Sequence, residues 1–160
     1  LKPNYKIIYL GACTCLFTKL LKEKGYYVQP VDIKNRSYYE EIEVYVYDGE
    51  HLPFKDNEFD VCLLRSVLHH TPNPEVVLQE AGRVSKKLII HENVVTNIFQ
   101  KYYTYLVDCI MNKELIEPHT NKTDKEWRLL FKKLGLDLVN TIDEKSYLFL
   151  QDKTYFLKKL

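Results

Sequence analysis

A chain of 160 residues with a formal net charge of +1 suits one folded domain with a substantial core, and its bulk charge favours neither nucleic acid nor an acidic substrate. Apolar content of 46% and charged content of 28% fit a soluble globular protein. No apolar run approaches the ~20 residues that a membrane span needs, and the opening LKPNYK carries neither a signal-peptide pattern nor an initiator Met, so a natural start further upstream is expected.

Tyr5 to Gly11 is a short apolar run ending in a turn residue and reads as a strand. Leu16 to Lys24 carries apolar residues at 16, 17, 20 and 21, the spacing of a helix, which Gly25 closes. YYVQPVDI (26–33) is β-rich, with Pro30 an awkward member. NRSYYEEI is a polar connection. EVYVYDG (43–49) alternates and reads as a third strand, followed by the loop HLPFKDNEF. FDVCLLRSVLHH begins as a continuous apolar run, as in a strand buried on both faces. TPNPEVVLQEAGRVS is a helix with Pro74 at its start and Asn73 as cap, and KKLIIHENV is a fifth strand. Residues 96–122 are expected to form a helical lid, with KYYTYL in a core or lid helix. DKEWRLLFKKLG is a helix capped by Asp124 or Thr123 and stopped by Gly135. LDLVNTIDE and SYLFLQDKTYFLKKL supply the last strands, an antiparallel pair at one edge.

This alternation predicts an α/β domain over 1–160: a Rossmann-like three-layer sandwich with a mostly parallel seven-stranded sheet and an antiparallel C-terminal edge strand. The cysteines are Cys13, Cys15, Cys62 and Cys109. Without paired CxxC motifs or His at finger-like spacing, no metal is expected, and free thiols in a cytoplasmic, reducing setting are.

Ligands of open parallel sheets bind beyond the carboxyl ends of the strands. GACTC follows the first strand. Asp32 ends the second, 21 residues after Gly11, where a carboxylate suits a pair of ribose hydroxyls or stands as a solvated acid. Asp48 and Glu50 follow the third strand; Asp48-Gly49 is also a common turn pair. Ser66, His69 and His70 follow the fourth, where a double His also reads as a capped, half-buried pair. His91 and Glu92 lie on the fifth, with His91 read as a satisfied rim residue.

The stretch YDGEHLPFKDNEFDVCLLRSVLHHTPNPEVVLQEAGRV resembles the class I S-adenosylmethionine-dependent methyltransferases, whose small members run Asp, a small residue, Glu, Leu-Pro-Phe, Asp, Phe-Asp, Leu-His-His. The likeness extends from about Lys6 to Val95 and more weakly to the C-terminal strands. It implies S-adenosyl-L-methionine as cofactor. Gly11, Ala12 and Cys13 would line its methionine half, beside Tyr9. Asp32, with Ile33 next to it, would hold the ribose. Asp48, Gly49 and Glu50 would meet the adenine, and Arg65 and Ser66 would stand near the sulfonium. His69, His70 or Glu92 would contact a small-molecule acceptor.

The family usually has an acid at position 9 and glycines at 13 and 15, where this chain has Tyr9, Cys13 and Cys15. A non-glycine residue in left-handed geometry costs roughly 1–2 kcal/mol. The leading expectation is methyl transfer by a monomer or homodimer. The second is a non-catalytic binding or partner subunit of the same fold. A nicotinamide oxidoreductase ranks third, because G-x-G-x-x-G spacing is missing.

Overall fold

The structure, a computed structural model, describes residues 2, 4–96, 99–100, 102–103, 106, 120–145 and 151–159. Its strands are β1 (Lys6–Leu10), β2 (Tyr27–Asp32), β3 (Tyr45–Val46), β4 (Val61–Arg65), β5 (Lys87–Val94), β6 (Leu136–Lys145) and β7 (Gln151–Lys159). Its helices are α1 (Leu16–Glu23), α2 (Pro74–Val84) and α3 (Asp124–Lys133), with a short 3-10 turn at Leu68–His70. The lid expected over 96–122 and Cys109 fall largely or wholly outside the described residues. No described helix is long and apolar enough to cross a membrane.

The seven strands form one sheet in the order β3-β2-β1-β4-β5-β7-β6. The first five are parallel. The C-terminal pair is antiparallel, as its close spacing predicts, but β7 inserts between β5 and β6, so the strand running against the rest is the inner one of that pair. Alternation along the strands divides the core. Ile8, Leu10, Cys62, Leu64, Leu88, Ile90, Tyr155 and Leu157 face α2 and α3, where Trp127 and Phe131 are sealed. Ile7, Tyr9, Val28, Val61 and Leu63 face α1. Phe131 bridges Trp127 at 6.1 Å and Tyr155 at 5.1 Å between ring centroids; each such buried ring contributes about 2–3 kcal/mol by removing apolar area from water.

Several local expectations change. The third strand pairs over two residues rather than 43–49, Tyr45 and Val46 meeting Val31 and Asp32 at the end of β2. Pro30 is tolerated since Val31 turns its carbonyl to β1, so the nitrogen of Pro30, one residue earlier, faces the edge that β3 does not reach. Within α1, Thr18 and Leu21 are buried while Leu16, Phe17 and Leu20 are exposed. Asn73 takes the N-cap position of α2 without a side-chain bond, leaving Pro74 to start the helix. Thr123, not Asp124, caps α3, in a reciprocal box with Glu126.

Candidate functional site

The turn after β1 is held by its neighbour strand. Gly11 and Ala12 both donate their N–H to the carbonyl of Val31, at 2.9 and 3.2 Å. Cys13 donates its N–H to Asp32 Oδ2 at 2.8 Å, and Lys34 N–H reaches Oδ1 at 3.3 Å. Gly11, Cys13 and Cys15 are all left-handed, with φ of 71°, 47° and 60°. The two cysteines therefore carry the backbone shape that glycine adopts freely. Cys13 is exposed and Cys15 is buried.

Asp32 is nearly buried, and each of its oxygens holds one backbone donor. Each oxygen keeps a second lone pair, so the carboxylate can still accept two neighbouring hydroxyls. These acceptors fit a ribose. Tyr9 puts a neutral group where the family has an acid. Burial pushes its hydroxyl up to about 12, with Arg65 opposing. Its ring meets Phe17 edge-on at 5.7 Å, and the Arg65 guanidinium lies 5.8 Å from the centre of the Phe17 ring.

After β3, Asp48 works first as a turn clasp. Its Oδ1 accepts from the N–H of Glu50 (2.8 Å) and His51 (2.7 Å), and its Oδ2 lies 3.1 Å from His51 Nδ1. These bonds hold its carboxyl down at about 2, and Oδ2 retains a lone pair for an amino group. Gly49 is left-handed (φ 90°), and a Cβ there would sit 3.5 Å from Ile33 Cγ2. Ile33 and Gly49, separated in sequence, thus form one wall. The following loop is clamped by α2. Arg83 donates to the carbonyls of Leu52 and Phe54 and to Glu80 and Asp56, and Glu80 accepts from Leu52 N–H at 2.9 Å.

After β4, Ser66 is left-handed (φ 51°) and donates its N–H to the carbonyl of His91 at 2.8 Å. Glu92 is fully buried. Its Oε1 accepts from Val67 N–H (2.9 Å) and Leu68 N–H (2.8 Å), and its Oε2 lies 2.5 Å from Nδ1 of the buried His69. His69 and Glu92, two of the residues expected at an acceptor, are both buried and bound to each other, and the carboxylate ties down the turn. His70 is half-buried, its ring 4.0 Å from that of His69. Thr120 closes the turn, donating its N–H to the carbonyl of His69 at 2.8 Å.

One cluster escaped the sequence. His91 Nδ1 lies 3.0 Å from Thr154 Oγ1, which donates to Glu144 Oε1 at 3.1 Å. Next to it, Asn93 binds Asp152. Three strands supply these groups, and the pairings His91↔Thr154 across β5 and β7 and Ile142↔Thr154 across β6 and β7 bring them together. No local motif marks Thr154 or Glu144.

The sequence pattern of the methyltransferase-domain family matches residues 8–88, just over half of the chain. Over 46 residues the chain is 48% identical to MJ1123 of Methanocaldococcus jannaschii, a protein described as uncharacterized; the match spans 29% of this chain and 22% of that one. Among solved structures, an S-adenosylmethionine-dependent methyltransferase of Methanosarcina mazei superposes with a TM-score of 0.77 at 19% identity, covering 100% of this chain and 94% of the other. A Haloferax volcanii methyltransferase-fold chain, solved with the methyltransferase activator Trm112, gives 0.74 at 14% identity over 100% and 85% of the two chains.

Proposed function

Because the chain belongs to the methyltransferase-domain family of class I S-adenosylmethionine-dependent proteins, we propose that it transfers a methyl group from S-adenosylmethionine to a small-molecule acceptor. The observation that carries this reading is the turn after β1. It keeps left-handed geometry at Gly11, Cys13 and Cys15 and ties itself to Asp32, although two glycines are replaced. S-adenosylmethionine supplies an electrophilic methyl group when bound.

The chain's own residues hold and orient. Asp32 accepts hydrogen bonds from the ribose hydroxyls with its unused lone pairs. Ile33 and Gly49 wall the adenine, Asp48 Oδ2 accepts from its amino group, and Glu50 stands at the rim. Gly11, Ala12 and Cys13 present backbone to the amino-acid half, with Tyr9 beneath. Arg65 ends β4 and Ser66 follows it, both assigned beside the reacting centre, and His70 faces the acceptor. Holding two reactants in line supplies much of such a rate enhancement by itself. We place the protein in the cytoplasm as a single domain, acting as a monomer or homodimer. The free thiols of Cys13, Cys15 and Cys62 support a reducing compartment.

Titration calorimetry with S-adenosylmethionine tests the reading: binding with a Kd below about 1 mM, worth about 4 kcal/mol, is expected, and no heat at millimolar cofactor refutes it. A second reading, a non-catalytic partner subunit, is favoured by the neutral, buried Tyr9 at the acidic position and by the activator bound to the Haloferax chain. Binding of cofactor without formation of S-adenosylhomocysteine in the presence of a cell's small molecules would select it.

A further inference from the structure

We propose that His91 is the proton acceptor of the reaction, aimed by Thr154 and Glu144 as positioning residues; the assignment rests on the methyl-transfer reading above. The first ground is place. Leu10 pairs with Leu64, and Arg65 pairs with His91. Gly11, Arg65 and His91 therefore follow one another at one level across β1, β4 and β5. The groups assigned to the nucleoside, Asp32 and Asp48, lie on the other side of β1 in the order β3-β2-β1-β4-β5. Strand order reverses between β1 and β4, and a ligand spread over β2 and β3 leaves the ends of β4 and β5 for the second substrate.

The second ground is proton accounting. A threonine hydroxyl has one proton. Thr154 Oγ1 gives it to Glu144 Oε1 at 3.1 Å, so at 3.0 Å from His91 Nδ1 it can only accept. The neutral imidazole then carries its proton on Nδ1 and a lone pair on Nε2. Nε2 makes no hydrogen bond among the described residues and is not sealed from solvent, the side chain being 18% exposed. His69, sealed against Glu92, offers no such atom.

The third ground is charge. A proton added at Nε2 makes an imidazolium whose Nδ1 lies 3.9 Å from Glu144 Oε1. Described charged groups that share this face include Asp152, engaged by Asn93 on β5, Arg65, opposite His91 on β4 and turned onto Phe17, and, further along the strands, Lys87 and Lys158. The step is a proton transfer. An ammonium N–H bond of the acceptor, or its hydroxyl O–H bond in concert with attack, breaks; the electron pair stays on that atom as the nucleophile, and the proton bonds to Nε2, later leaving to solvent. The acceptor class is therefore a small molecule that carries a proton on its attacking nitrogen, oxygen or sulfur; an acceptor without one has no use for this group.

The decisive measurement needs no acceptor. Long-range 1H–15N spectra of protein labelled at histidine report the imidazole tautomer, with His91→Gln identifying the signals. The proton is expected on Nδ1 in the wild type and mostly on Nε2 in Thr154→Val, with cofactor affinity unchanged within about twofold. Glu144→Ala, at an exposed position, is expected to give the same flip and guards against a misfolded Thr154 variant. A wild-type proton on Nε2, or no change in either variant, overturns the relay. With methyl-labelled S-adenosylmethionine and the low-molecular-weight filtrate of a cell lysate, His91→Gln is expected to lose at least about 100-fold in label transfer. Transfer equal to wild type overturns the base while sparing the methyl-transfer reading. A wild type that neither binds cofactor nor labels anything removes that reading, and the base role with it.

Discussion

Gly11 and Val67 leave no room for another atom between them: a Cβ on Gly11 would lie 2.5 Å from Val67 Cγ2 and 2.9 Å from Val67 Cβ. Glycine is therefore required twice, by φ of 71° and by the close approach. Gly11→Ala should cost about 2–5 kcal/mol in urea unfolding, from left-handed strain of ~1–2 and overpacking of ~1–3. Adding Val67→Ala should recover the overlap part. A neutral Gly11→Ala would show that the turn relaxes.

Cys13 and Cys15 share a backbone shape and differ in surroundings. Cys13→Gly removes about 1–2 kcal/mol of strain and loosens the unfolded chain by about 0.4–1. Thermal or urea unfolding should show a gain of roughly 0.5–1 kcal/mol, since the exposed thiol has little packing to lose. Cys15→Gly should destabilise instead, because its side chain is fully buried in the α1-side core. Cofactor affinity of Cys13→Gly should stay within about twofold, as the turn already holds its shape; a tenfold gain would mean the cysteine obstructs binding.

Asp32→Ala removes both the tether on Cys13 N–H and the carboxylate assigned to the ribose. Calorimetry should show S-adenosylmethionine binding weakened by about 10–100-fold, about 1.4–2.8 kcal/mol, the size expected for hydrogen bonds to a charged group. Unchanged affinity would remove Asp32 from the site.

Glu92→Ala strands three donors in the interior: the N–H groups of Val67 and Leu68, and His69 Nδ1. Each buried donor without a partner costs about 1–3 kcal/mol, and breaking a buried pair costs about 3–5. Loss of about 3–5 kcal/mol in denaturant unfolding is expected. A loss under about 1 kcal/mol would mean water replaces the carboxylate.

Asp48 should titrate far below an ordinary carboxylate. Backbone N–H groups of His51 and Glu50, and then the His51 side chain, lower it from 3.8 to about 2. A depressed folded value means the turn is favoured above about 4, and that this contribution fades as pH falls through about 2. Carboxyl 13C titration by NMR reads it directly. A midpoint near 3.8 would show the turn open in solution.

The order of elements, the parallel sheet and the polar residues at strand ends were legible in the residues, because each rests on local signals. Apolar periodicity separates helices from strands, Gly25 and Gly135 mark stops, and Asp32 and Asp48 sit at fixed distances from Gly11. Tertiary structure alone decided what those groups face. It shortened the third strand to Tyr45–Val46, which meet Val31 and Asp32 at the end of β2. It sealed His69 against Glu92, because alternate residues of β5 point to opposite faces and position 92 falls inward. It turned His91 outward and set it beside Thr154 and Glu144, residues more than fifty positions away, through an antiparallel register that no one-dimensional pattern encodes.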